Sequence, residues 1–182
     1  MIQRIKSMFM AFGYQLRFGK SIQFSGYPRF EKQAKINLKD GMIVIGKGLI
    51  MKPNAYIAVV NGGKLTIGNS VSIARNSILV CHDSITIGDR CAIAPNVLIY
   101  DHDHKFGTEG IRPGFNTAPV VIGKNCWIGA GVSILRGTQI GEGCVIGAGC
   151  VVKGNIPPHS MVVADRSLNI ISIEDQNIGM TS

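Results

Sequence analysis

The chain has 182 residues, of which 46% are hydrophobic but only 7% aromatic, and 23 are glycine. That length holds one domain with a sizeable core. An apolar mass of Ile, Val, Leu and Ala broken by glycine excludes a helical bundle in favour of short strands and tight corners. The 19 basic side chains outnumber the 11 acidic ones by 8, a surplus that suits a polyanionic partner. It does not choose among coenzyme A, a nucleotide sugar, nucleic acid and acidic lipid.

The first twenty residues, MIQRIKSMFMAFGYQLRFGK, are basic and apolar. They lack the h-region and small-residue cleavage site of a signal peptide, and no apolar run approaches the ~18 residues that span a bilayer. The expectation is an unsecreted, cytoplasmic protein. Residues 1–20 read as an amphipathic helix capping the open end of a repetitive fold. Contact of Arg4, Lys6, Arg17 and Lys20 with a membrane is the weaker reading of that segment. Ahead of Ile45, KINLKDGMIVIG echoes the later VVNGGKLTIG and LVCHDSITIG and reads as a degenerate first coil.

From Ile45 a six-residue repeat is regular. Its first positions are Ile45, Met51, Ile57; Ile67, Ile73, Leu79; Ile87, Ile93, Ile99; Ile122, Ile128, Ile134; and Ile140, Ile146, Val152, all fifteen aliphatic. Fifth positions are small or aliphatic in twelve of fifteen hexads, and second positions are often Gly, as at Gly46, Gly68 and Gly88. The physical reading is all-β: a left-handed parallel β-helix, triangular in section, with three hexads to a turn. First and fifth positions would point inward, and each coil would stack on the next. Four of the five cysteines (Cys91, Cys126, Cys144, Cys150) fall at inward fifth positions and read as small buried hydrophobes. Without a CxxC pair, the set argues against disulfides or structural zinc.

Ile87 to Ile122 carries seventeen residues more than a coil needs. The insertion is 105–119, KFGTEGIRPGFNTAP, and a loop that long on a regular solenoid is usually functional. The β-helix is assigned to 21–157 and the tail to 158–182. The three polar fifth positions are Asn61, Asp83 and Asp103, all in third hexads. His82 and His102 both lie fifteen residues after the start of their coils, so His82-Asp83 should stack on His102-Asp103, with His104 two residues on. An imidazole of pKa about 6.5 is suited to take a proton from a hydroxyl or an amine. Asp101 and Asp103 stand beside it to orient a ring or raise its basicity.

The segments IGDRCAIAPNVLIYDHDH and APVVIGKNCWIGAGVSILRGTQIGEGCVIGAGCVVKGNIPP resemble the isoleucine-patch hexapeptide acetyltransferases across roughly residues 36–164. The likeness is to the sugar O-acetyltransferase branch, which includes galactoside and maltose acetyltransferases and enzymes that decorate bacterial surface polysaccharides. It implies a homotrimer with active sites between subunits, acetyl-CoA as co-substrate, a sugar acceptor, no metal and no nucleic acid. It also implies His104 as the base, with His82, Asp83, Asp101, His102, Asp103 and Asn76 binding acceptor or orienting the base. Trp127, Gly129, Ala130, Ala148, Lys153 and Arg166 would bind the cofactor. The chain departs from the family at VVADRSLNII, where Asp165, Ser167 and Asn169 replace the usual Gly, Pro and basic residue. Arg166 or Lys153 would then replace the lost basic contact. Ala74, Asn76, His82 and Asp83 also replace the usual acceptor-binding set of the second coil, which implies a different acceptor. Three other readings stay open: an N-acetyltransferase of a nucleotide-linked amino sugar, a γ-carbonic-anhydrase-like enzyme binding metal through His82, His102 and His104, and a non-catalytic scaffold.

Overall fold

The computed structural model describes residues 2–165. After one helix, α1 (Ile2–Phe18), the chain winds as a parallel β-helix with three flat faces. The first face stacks seven strands, from Ile22–Phe24 to Asn155–Ile156, and the second stacks seven, from Arg29–Phe30 to Met161–Val162. The third stacks six, from Lys35–Leu38 to Val151–Val152. Pairing follows the hexad count: Ile45 lies against Ile67, Ile67 against Ile87 and Ile87 against Ile122. All fifteen predicted first positions are buried, none more than 3% exposed. The first coil begins earlier than expected, at Ile22–Phe24, Arg29–Phe30 and Lys35–Leu38, so that KINLKDGMIVIG spans the end of it and the start of the next. Stacking continues past Pro157, where Met161–Val162 lies against Val145–Ile146.

The corners explain the glycines and the cysteines. A Cβ on Gly88 would sit 2.5 Å from the Lys124 nitrogen, and one on Gly123 would sit 2.6 Å from that of Glu142. A larger residue would therefore push the coils apart. Elsewhere at the corners the backbone turns through positive φ, at Asn76 (59°) and Gly149 (67°) among others; these are the residue types that adopt it most cheaply. The cysteines form a ladder: Cys91, Cys126 and Cys144 donate to the carbonyls of Gly123, Gly141 and Pro157 at 3.0–3.1 Å. Burial pushes the Cys91 thiol up to about 11 and also raises Cys126, which leaves neither a ready nucleophile.

In the third hexads that start at Ile57, Leu79 and Ile99 the register departs from the count, whereas Thr138 of the next is buried as counted. Asn61 is exposed, and Asp83 and Asp103 are half-exposed. The inward slots are two residues earlier, at Val59, Cys81 and Asp101, all fully buried. The strands there, Tyr56–Val59 and Ile78–Cys81, run longer than the two-residue strands of the second face, and their extra alternation turns the third position inward.

The insertion is not an irregular loop. His102–Gly107 and Gly110–Thr117 form an antiparallel hairpin, turning at Thr108-Glu109 with Gly110 at φ 97°. Ala118 N donates to Asp101 O at 2.9 Å and closes its base, so the excursion leaves the coil register unbroken.

Helix α1 covers the first coil through Ala11 (4% exposed) and Ser7 (1%). The Ser7 hydroxyl accepts from Phe30 N (3.0 Å), Ile36 N donates to the Tyr14 hydroxyl (2.9 Å), and the Tyr14 ring lies 5.8 Å from that of Phe30. Among the described residues no helix is long and apolar enough to cross a membrane.

Because coil stacking depends on inward aliphatics, Ile128→Ala should lower the unfolding free energy by ~2–5 kcal/mol in urea melts. Ile128→Asp should give no cooperatively melting protein, since its carboxylate would be buried without a partner.

Candidate active site

The site gathers at the edge where the third face turns into the first, at the mouth of the hairpin. Asp101 organises it. Its side chain occupies an inward slot beneath Cys81, the slot that Val59 fills two coils earlier, and it is 0% exposed. A carboxylate there must be fully hydrogen-bonded. It accepts from His82 N at 2.8 Å and from Asp83 N at 2.8 Å, and it meets His102 Nδ1 at 3.2 Å. The Cys81 thiol is pushed up to about 12, first by burial and then by the negative charge of Asp101.

The two histidines stack as counted. The rings of His82 and His102 lie 3.5 Å apart and within 10° of parallel. Above them, the Asn61 side-chain nitrogen is 3.1 Å from His82 Nδ1, a pairing that needs this nitrogen to accept and so suits a neutral ring. The His82 pKa is accordingly held below its ordinary value. Burial is the first cause and the neighbouring charges of His102 and then His104 add to it, against an opposing pull from Asp101.

His104 stands on the outgoing hairpin strand, exposed, directly across from Phe115. The pairing shifts between His104 and Lys105, a bulge that bends the strand just past the imidazole. Phe115 contacts all three histidines, edge-on to His82 (4.5 Å) and His102 (5.2 Å) and tilted against His104 (4.8 Å). Asp103 turns away from the rings to pair with Arg136 one coil on. Neither Phe115 nor Arg136 stands out in the sequence. Phe115 lies in an insertion without periodicity, whereas Arg136, two residues past Ile134 as Asp101 is two past Ile99, was reachable by counting.

Of the remaining expected site residues within the described range, all but Lys153 lie off the histidine edge of this chain. Asn76 is at the edge between the second and third faces, joined to the Asn54 side chain at 3.1 Å. Gly129, Ala130 and Ala148 share that edge, where Gly149 N donates to Ala130 O and a Cβ on Gly129 would meet Ala148 N at 2.7 Å. Trp127 lies on the second face and is 57% exposed, with its Cα paired to Ala92 and Val145. Lys153 is exposed two coils beyond His102, on the histidine edge. Arg166, Ser167 and Asn169 lie outside the described residues.

The three-histidine zinc reading does not fit this geometry. Imidazole lone pairs lie in the ring plane, so those of two parallel rings 3.5 Å apart run side by side. They cannot converge on one ion ~2.0–2.1 Å from each. Among the described residues no group of three or more His, Cys, Asp or Glu is arranged to hold a metal.

Two outcomes test this arrangement. Asp101→Ala strands the His82 and Asp83 amides and should cost ~1–3 kcal/mol in thermal or urea unfolding, more than Asp101→Asn. The unfolded chain binds the His82 proton more readily than the fold does. The stability held by the neutral ring is therefore complete above the unfolded value of about 6.5 and is lost as pH falls through the lower folded value. The urea midpoint should drop between about pH 7.5 and about pH 5, and His82→Gln should shrink that drop.

Comparison with known proteins agrees with the repeat. The bacterial transferase hexapeptide (six repeats) model matches residues 119–154. Nodulation protein L of Rhizobium meliloti (strain 1021) is 39% identical over 133 residues, covering 72% of this chain and 72% of that protein. Galactoside O-acetyltransferase of Escherichia coli (strain K12) is 29% identical over 163 residues, covering 87% and 79%. A hexapeptide-repeat acetyltransferase from Vibrio cholerae O1 biovar eltor, solved with acetyl coenzyme A, superposes with a TM-score of 0.58 at 27% identity, over 65% of this chain and 64% of that one. With hexads wound three to a turn and a relative 39% identical over 72% of its length, the chain belongs to the hexapeptide-repeat transferases.

Proposed function

We propose that the protein transfers an acetyl group from acetyl-CoA to a hydroxyl of a sugar, on a bacterial surface polysaccharide or its precursor, with His104 as general base. The observation that carries the reading is His104 itself. It is an exposed imidazole at the mouth of the one hairpin that interrupts the described solenoid, held against Phe115 and beside two stacked histidines.

In the reaction a His104 ring nitrogen takes the proton of the acceptor hydroxyl as its oxygen attacks the thioester carbonyl carbon. The tetrahedral intermediate collapses by breaking the carbon–sulfur bond. The departing thiolate takes the proton back from the imidazolium, so acid and base are restored within one turnover. Asp101 acts at one remove, by fixing His102 and the backbone beneath His82. The stacked pair, Phe115 and Asp103 would form one wall of the acceptor site.

Coenzyme A would lie along Trp127, Gly129, Ala130 and Ala148, with Lys153 meeting its phosphates and an amide of the Gly129-Ala130 corner opposing the developing oxyanion. These groups, Lys153 apart, are off the histidine edge of their own chain. A homotrimer in which the hairpin edge of one subunit faces the Trp127 face of the next would unite them.

His104→Ala should lower kcat by ~10²–10⁴ while leaving acetyl-CoA binding by calorimetry intact. Retention of more than about a tenth of the activity would remove His104 as the base. Subunit mixing tests the shared site. His104→Ala and Ala130→Trp proteins, each inactive, should on co-refolding one-to-one recover about a quarter of wild-type activity, because a quarter of the interfaces combine two intact halves. No recovery would confine the site to one chain.

A further inference from the structure

Helix α1 has two apolar faces, and the fold uses one. Ser7 and Ala11 are buried and Tyr14 and Phe18 pack on the first coil, so one stripe closes the end of the solenoid. Ile5, Met8, Phe9, Phe12 and Leu16 recur at i, i+3, i+4, i+7 and i+11 on the opposite stripe, which is the spacing of one helical face. They are 43–72% exposed, and Tyr27, 73% exposed, lines a shallow groove with the first four. An apolar stripe of this kind on a capping helix is not needed for the cap.

The charges around it point to what covers it. Through residue 30 the chain carries Arg4, Lys6, Arg17, Lys20 and Arg29 and no Asp or Glu, which makes this end the source of five of the eight surplus positive charges. Lys6, Arg17 and Lys20 are exposed, and the Arg17 guanidinium rests 5.1 Å over the Phe18 ring. A second copy docked on this face would oppose cation to cation with no acid of its own first thirty residues to answer them. A lipid surface supplies both missing partners. Its acyl boundary takes up Phe, Leu and Ile, and its phosphates meet the Lys and Arg heads that reach back from the apolar stripe. At 17 residues, with its inner side packed on the first coil, the helix lies on a bilayer rather than across it.

We infer that the outward face of α1 docks this protein on an anionic membrane surface, with Phe9, Phe12 and Leu16 inserted at the acyl boundary and Lys6, Arg17 and Lys20 on lipid phosphates. The inference is independent of the chemistry proposed at the histidine edge, since none of these residues belongs to it.

The test is co-sedimentation of the full chain with vesicles of phosphatidylcholine alone, and with phosphatidylglycerol added. The wild type should pellet only when phosphatidylglycerol is present. Phe9→Ser/Phe12→Ser and Lys6→Glu/Arg17→Glu should each lower the bound fraction about tenfold. Both variants should keep the wild-type melting temperature and acetyl-CoA affinity, because the altered side chains are exposed. A wild type left in the supernatant with phosphatidylglycerol vesicles would overturn the inference, as would variants that pellet like the wild type. Loss of vesicle binding together with a larger assembly in gel filtration, abolished by Phe9→Ser/Phe12→Ser, would assign the face to self-association instead.

Discussion

Everything in this protein hangs on the parallel hydrogen bonding of one coil to the next. A hexad strand of two residues, such as Trp127–Ile128 or Ser133–Ile134, has no stability of its own. It exists because its amides and carbonyls are taken up by the coils above and below, as where Gly88 N donates to Ile122 O and Gly123 N to Ile140 O, at 2.8 and 2.7 Å. The same stacking brings each inward aliphatic onto its equivalent in the next coil, so burial and backbone pairing rise or fall together. Corner glycines and the thiol-to-carbonyl ladder follow from that requirement, because both sit where neighbouring backbones come closest.

A solenoid built this way is indifferent to length and has two ends to protect. At the first coil the protection is α1, which seals Phe30 and Ile22 from water and satisfies amides at Phe30 and Ile36 through Ser7 and Tyr14. The helix stands at the price of a second apolar face turned outward, and that face together with its basic flanks makes the end of the prism a surface of its own.

The chemistry is placed where the repeat tolerates an interruption. A hairpin enters between two coils without disturbing them because Asp101 O and Ala118 N bridge its base. At the same corner the core admits one carboxylate, Asp101, whose oxygens are consumed by the backbone of the preceding coil and by His102. A rigid scaffold thus holds the stacked imidazoles, while His104 is carried out on the hairpin with its ring exposed. The burial that depresses the His82 pKa and the buried anion that engages His102 come from one arrangement, so these side chains are coupled from the start.

The sequence by itself determined the repeat, its fifteen inward first positions, the character of the cysteines, the site of the insertion and the stacking of His82 on His102. All of these follow from counting, because a solenoid converts separation along the chain directly into neighbourhood in space. Only the tertiary structure decided what depends on local backbone rather than on period. The inward slot of the third hexads moved from Asn61, Asp83 and Asp103 to Val59, Cys81 and Asp101, because longer strands there add one more alternation. The insertion became a hairpin that returns Phe115 onto three histidines, a long-range contact that no periodic signal encodes. Asp103 was drawn off to Arg136, a side-chain pairing between coils that depends on local backbone geometry and not on the period.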